Sequence, residues 1–378
     1  MSILLIIGAF EAAFLFLLLL GKRDKRLPDL FLSIVFALYA LSLGDAYVEF
    51  YNYSHQFPYP HVLNLGWLLL LLHGPALWFY VKSLTETGFR LKSSHLLHLI
   101  PFLVFLSIHY LQFIHLSGAE KVANVRDDLF RQQPFYPISL VAIAVSTFSY
   151  NLWALLLIRN HRARIVQVYS HIEGLDLNWL RVLTIAAVAV YTVNVLLYNL
   201  DALFHFASYR MLTLTAFSFA AIYILFLGYF GLRQSHVFLS SAPRTPVTTG
   251  TGRQKTTSPG MVSPEHSSFI STLLRHMETE QPHLDPELTL AKLSASLRVK
   301  PEYLSQVLND ALQQNFFDFI NRYRIEEFKH LRNRTSHQHL SILGLAYECG
   351  FNSKAAFYRA FKRYAGMSPT TWVENVSS

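Results

Sequence analysis

The sequence predicts an all-α protein: a seven-helix transmembrane bundle followed by a soluble all-helical domain. Three observations predict it. Long apolar runs fill the first 232 of 378 residues. Charged residues make up only 15%, against roughly 25% in an average soluble protein. After residue 285 the apolar spacing changes to that of amphipathic helices, and no period-two alternation marks a barrel.

A membrane span needs about 20 mostly apolar residues, because lipid offers backbone amides no water. Seven segments meet that length: 3–20, 30–50, 63–82, 95–114, 136–158, 179–200 and 210–231. The first has no small-residue cleavage site after it, so it is expected to stay as a helix rather than be removed as a signal peptide. The spans away from their ends carry no lysine, which excludes a retinal Schiff base.

Lysine and arginine set the expected orientation. Lys22, Arg23, Lys25, Arg26, Lys82, Arg90, Lys92, Arg159, Arg162, Arg164 and Arg233 fall on one side; Lys121, Arg126, Arg131 and Arg210 fall on the other. The expectation is a multi-pass protein of the cytoplasmic membrane, N-terminus outside and C-terminus in the cytoplasm. The net charge of +8 fits anionic partners, either lipid headgroups or nucleic acid.

Ionisable groups inside spans are costly and raise a functional hypothesis. Asp45, Glu49, His109, Asn199, Asp201 and His205 lie toward the outer ends of their spans, where they can face one cavity. They are the candidate signal-sensing residues, for a small-molecule or membrane signal of unknown identity. The competing reading makes them polar glue between helices. Glu11 and His73 lie mid-span, and Pro75 should kink its helix. One cysteine, Cys349, excludes an internal disulfide, and no metal site or cofactor is expected.

The seven-span domain is assigned to residues 1–232. Residues 233–264 then change character: Ser, Thr, Pro and Gly supply 18 of 32, and Asp and Glu are absent. This composition predicts a flexible cytoplasmic linker spanning on the order of 30 Å. Ser263 and Pro264 suit the start of the next helix.

Residues 265–378, with a core at 285–372, read as a separate helical domain. Leu288, Leu290, Leu293 and Leu297 share one helix face, with Thr289 as its cap. Pro301 opens a second helix, buried through Leu304, Val307 and Leu308. A long helix over about 315–334 follows. The helix–turn–helix pattern then recurs: Ile342, Leu345 and Ala346, a turn at Gly350, and a helix capped by Ser353 that carries Phe357 and Phe361. Gly366 ends that helix, and Pro369 starts a last short one.

The stretch SILGLAYECGFNSKAAFYRAFKRYAGMSPTTW resembles the signature of the AraC/XylS-type transcription regulators. The resemblance rests on Ile342, Leu345, Ala346, Gly350, Phe351, Phe357, Arg359, Phe361, Lys362, Gly366, Ser368 and Pro369, with Phe319, Tyr323, Arg324 and Ile325 in the long helix. Phe328, Ala355 and Val373 depart from the common pattern, where Ala, Ser and Arg are usual. The resemblance covers under a third of the chain, and the apolar region replaces that family's usual soluble ligand-binding domain. It implies two helix–turn–helix units joined by a long helix, binding double-stranded DNA. An α-helix fits the major groove and presents its first turns to base edges. The expected DNA-facing residues are Lys300, Glu302, Tyr303, Ser305 and Gln306 in the first unit, and Asn352, Ser353, Lys354, Ala355, Tyr358 and Lys362 in the second. Arg359 and Arg363 are expected to touch phosphate or to be structural. Residues 281–378 hold twelve Lys and Arg against nine Asp and Glu, which predicts a moderate salt dependence.

The expected function is a membrane-anchored, sequence-specific transcription regulator that is not an enzyme and that works through the bilayer, DNA and a signal, with a homodimer as one way to convert it. The alternative is a membrane transporter or enzyme with a regulatory DNA-binding tail. No Walker motif, Gly-rich nucleotide loop or kinase motif set supports an enzyme. A third reading makes the bundle an inert anchor, with activity set by proteolytic release at the linker.

Overall fold

The structure, a computed structural model, describes residues 2–86, 88–172, 175–204, 206–233, 264–334 and 340–377. His205 and nearly all of the sequence-predicted linker lie outside the described residues. The fold is all-α, with no strand among the described residues. The chain divides into two compact units: Met1–Arg159 with Asn178–Pro246, and Asn160–Leu177 with Val247–Ser378.

The first unit holds α1 (Ser2–Leu20), α2 (Leu27–Ser54), α3 (Leu70–Thr85), α4 (Ile100–His109), α5 (Gly118–Arg126), α6 (Leu129–Gln132), α7 (Phe135–Ile165, which runs into the second unit), α8 (Asn178–Phe204) and α9 (Tyr209–Arg233). With the turns that extend α3 and α4, seven segments of this unit are long and apolar enough to cross a membrane. They coincide with the seven sequence-predicted spans.

This unit is apolar outside and buries several polar groups among its apolar core. Ile3, Phe10, Leu17 and Leu111 are exposed, while Glu49, Asn52, Asn64, His73, His109 and Asp201 are buried. Water would penalise such a surface; lipid would not. A Cβ at Gly8 would lie 2.8 Å from the Ala221 Cβ, so small residues set the close approach of α1 and α9. Pro75 sits inside α3, and α4 ends in a wide turn, Tyr110–Ile114.

The second unit holds α10 (Pro264–Thr279), α11 (Leu290–Ser296), α12 (Pro301–Gln306), α13 (Phe316–Arg332), α14 (Ile342–Glu348), α15 (Lys354–Ala365) and α16 (Pro369–Ser377). Thr289, Asn315, Ser341 and Ser353 each accept a first-turn backbone N–H with their side chains, capping α11, α13, α14 and α15. Helix α13 belongs to both cores. Phe316, Phe319 and Ile320 pack with Leu290, Leu293, Leu304 and Leu308. Ile325 and Phe328 pack with Leu345, Phe351, Phe357 and Phe361. Phe328 fills the space its size requires, 4.8 Å from the Phe357 ring and 5.5 Å from that of Phe361.

Candidate nucleic-acid interface and bundle cavity

Two helix pairs flank α13, and each second helix offers a polar outer face. In the first pair, Lys300, Glu302 and Gln306 are exposed around the first turns of α12, while Leu304 is fully buried on the opposite side. Tyr303 and Ser305 are half-buried. Tyr303 meets the Phe269 ring edge-on at 5.0 Å, so part of its surface is committed to α10.

In the second pair, Asn352, Lys354, Ala355, Arg359, Lys362 and Arg363 are exposed. Residues 355, 359 and 363 repeat every four positions and form a stripe opposite Phe357 and Phe361. Ser353 Oγ accepts the Ala356 N–H at 3.1 Å, so this hydroxyl works first as a cap. Arg363 donates to Asp318 Oδ2 at 2.7 Å, and Tyr364 Oη donates to Asp318 Oδ1 at 3.1 Å. Arg363 therefore ties α15 to α13. The Lys354 ammonium sits 5.4 Å from the centre of the half-buried Tyr358 ring. Val373 is buried.

Sequence reasoning placed Arg324 on the linking helix but did not anticipate its task. It is 1% exposed. Its Nε donates to the His283 carbonyl at 2.7 Å and its Nη2 to the Asp285 carbonyl at 2.7 Å. Burial pulls its pKa down to about 10. Burial, with Arg324 beside it, holds the His283 imidazole down at about 4. Burial also raises the Cys349 thiol to about 12, so this cysteine is an inert core residue.

The bundle encloses a cavity of about 80 Å³, enough for several waters or one small group. Of the six sequence-predicted sensing residues, Asp45, Glu49 and Asn199 line it. His109 and Asp201 are committed elsewhere. His109 Nε2 bonds the Asn64 carbonyl oxygen at 2.8 Å, and its ring stacks on Phe113 and Phe135. Asp201 pairs with Arg131 and accepts the Ala207 N–H at 2.8 Å.

Sequence reasoning missed the aromatic wall: Trp67 with Tyr39, Tyr136, Tyr191, Tyr198, Tyr209 and Tyr223. His73 joins it, bonded to Tyr191 Oη at 2.9 Å and Ser42 Oγ at 3.2 Å. A tyrosine inside an apolar run carries no distinct signal until the helices bring several together. Among the described residues, Glu49 Oε1 and Asn194 Oδ1 are buried acceptors with no hydrogen-bond partner. No cluster of three metal-ligating side chains occurs among the described residues.

A helix-turn-helix domain family matches residues 293–375. The melibiose operon regulatory protein of Escherichia coli strain K12 is 31% identical over 85 residues, covering 22% of this chain and 27% of that protein. The same protein from Escherichia coli O6:H1 matches equally. The chain thus spans about a quarter of the length of the curated relatives it matches. No solved structure matches. The C-terminal region is a helix–turn–helix domain of AraC type.

Proposed function

We propose that this chain is a membrane-anchored, sequence-specific DNA-binding transcription regulator, and that the bundle cavity receives its signal. One observation carries the DNA-binding reading. Two helix–turn–helix units pack on one linking helix that enters both cores, and each second helix leaves polar and basic side chains in solvent. That arrangement suits entry into successive major-groove segments about 34 Å apart.

Membrane anchoring is supported by seven apolar segments whose outward side chains are hydrophobic. The lysine and arginine bias favours a C-terminal domain in the cytoplasm, on the side of the chromosome. Sensing is supported by a cavity that holds two carboxylates and unpartnered buried acceptors, since such groups are costly without donors. A ligand that supplies donors would bind one bundle conformation better than another and shift the balance between them.

Capture of chromatin bound to the full-length protein in its native host tests the reading. Enrichment of a few discrete promoters is the expected result. Uniform recovery across the genome, or a reporter fused after Ser378 that is active only outside the cell, would overturn it.

A further inference from the structure

The second unit contains a stretch that no family resemblance covers. Residues Asn160–Leu177 join α7 to α8 in the chain, yet they belong to the compact unit formed with Val247–Ser378. Three alternate carbonyls of this stretch meet the first helix–turn–helix unit. The Val166 carbonyl accepts the Phe317 N–H at 2.9 Å, and the Val168 carbonyl accepts the Leu290 N–H at 2.8 Å. The Ser170 carbonyl accepts from Asn321 Nδ2 at 3.2 Å and Arg324 Nη1 at 3.5 Å.

The two backbone donors are informative. Leu290 and Phe317 lie in the first turns of α11 and α13, where an N–H has no acceptor within its own helix. The stretch supplies that acceptor to both helices at once. Side chains extend the contact. Ser170 Oγ donates to the Leu288 carbonyl at 2.6 Å and accepts from Arg324 Nη2 at 3.2 Å, while Asn309 Nδ2 donates to Gln167 Oε1 at 3.0 Å. Ser170 is only 1% exposed, and Tyr169 and Thr289 form an antiparallel bridge.

We propose that residues 166–170 are a docking strap for the first helix–turn–helix unit, giving the bundle a non-covalent hold on the DNA-reading domain besides the linker. The strap meets the N-terminal ends of α11 and α13, and Asn309 just beyond α12. The sequence-predicted base-reading residues Lys300, Glu302 and Tyr303 sit toward the opposite end of α12, while Ser305 and Gln306 lie at the strap's end, where Ser305 shares Asn309 with Gln167. The strap therefore holds the domain without covering the first turn of α12. A displacement of α7 against α8 moves the strap, and with it the seat of α11 against α13. That changes how the first recognition helix is set relative to the second. The sequence-predicted linker is not needed for this motion.

The test uses the full chain in native membranes, with a protease site placed in the 233–263 segment. Gln167→Cys with Asn309→Cys, bridged by a short bis-maleimide, is expected to keep the two halves joined after cleavage. A control pair, Gln167→Cys with Glu374→Cys, is expected to fall apart. Joining no greater than the control overturns the strap. Ser170→Tyr, too large for its buried place, is expected to lower the joined fraction about tenfold.

Amide exchange separates release from unfolding. Leu290 and Phe317 should lose protection about tenfold in that variant, while Leu345 and Phe357 keep theirs. Leu290 and Phe317 amides that exchange freely in the unaltered chain would also overturn the strap. These two arms do not depend on DNA binding. The coupling role rests on the regulator reading: promoter output should stop responding to Glu49→Gln once Ser170→Tyr is present, and an unchanged response removes that role.

Discussion

Arg363 and Asp318 form a 2.7 Å ion pair that joins the recognition helix of the second unit to the start of the linking helix. The two ends differ in setting. The Arg363 side chain is 60% exposed, whereas that of Asp318 is 13% exposed and also receives Tyr364 Oη. Solvent screens the Arg363 side, so Arg363→Ala should cost no more than about 1 kcal/mol. Asp318→Ala strips a partner from both residues and removes a negative charge from a helix N-terminus, so about 1–2 kcal/mol is expected. The shift in the urea midpoint of the second unit, followed in the solubilised chain, measures both. Equal losses would mean that the ion pair alone explains the contact.

The same pair ranks the basic residues on α15 as DNA contacts. Lys354 lies in the first turn of the recognition helix, exposed and close to Tyr358. Lys354→Ala should weaken promoter binding by about 1–3 kcal/mol if it reads a base. Lys362→Ala should weaken binding to all sequences alike and reduce the salt slope by about one if it meets phosphate. Arg363→Ala should change affinity least of the three, because its guanidinium already serves Asp318. Binding isotherms at several salt concentrations, on promoter and scrambled duplexes, separate these outcomes.

Gly350 is held at φ +86°, and a Cβ there would run into the His283 carbonyl oxygen. Backbone conformation and backbone contact both exclude a side chain. Gly350→Ala should destabilise the second unit by more than about 2 kcal/mol, well beyond an ordinary surface change. Gly366 has a similar φ, +75°, but open space around it. Gly366→Ala should therefore cost less, of order 1 kcal/mol from strain alone. Thermal unfolding of the two variants side by side gives the comparison.

His283 makes the stability of the second unit depend on pH. Burial and Arg324 hold its folded pKa at about 4, below the ordinary 6.5. Above pH 6.5 the imidazole is neutral folded or unfolded, and stability is flat. Between 6.5 and 4 only the unfolded chain takes up the proton, so stability falls as pH falls. The total loss is on the order of 3 kcal/mol once pH reaches about 4. Both ring nitrogens lack a hydrogen-bond partner among the described residues, so His283→Phe removes the titration without orphaning a donor. Unfolding midpoints from pH 7 to pH 4 should slope for the natural chain and flatten, for this group, in the variant.

Legibility in the sequence followed periodicity and distance along the chain. The seven apolar segments, the caps Thr289 and Ser353, and the long helix over about 315–334 were readable, because each is set by residues within a few turns. Phe328 and Val373 depart from the family pattern, yet both are buried, so the core accommodates them. The partners of Arg324 lie 39 to 154 residues away, and no local pattern announces them. The strap is the extreme case: its main contacts use backbone carbonyls, which every sequence possesses. The cavity was half legible. Buried carboxylates stand out in a span by their cost, but its tyrosines look like any apolar lining.

The cavity predicts that two buried carboxylates of the bundle fail in different ways. Glu49 is 5% exposed and lines the cavity, with Oε1 unpartnered among the described residues. Asp201 is fully buried, but it pairs with Arg131 and caps the chain at Ala207. Arg131 keeps Asp128 at 3.3 Å, so losing Asp201 leaves the guanidinium half-paired and costs less than the about 3–5 kcal/mol of a fully orphaned buried charge. Asp201→Asn should therefore lower the amount of folded protein in the membrane. Glu49→Gln keeps the shape, replaces the carboxyl group by an amide and breaks no ion pair, so abundance should hold while promoter output in response to the natural stimulus changes several-fold. Immunoblotting of membranes, paired with a promoter reporter, reads both quantities in one culture. If Glu49→Gln lowered abundance as Asp201→Asn does, Glu49 would be a structural residue and the cavity would lose its claim to the signal.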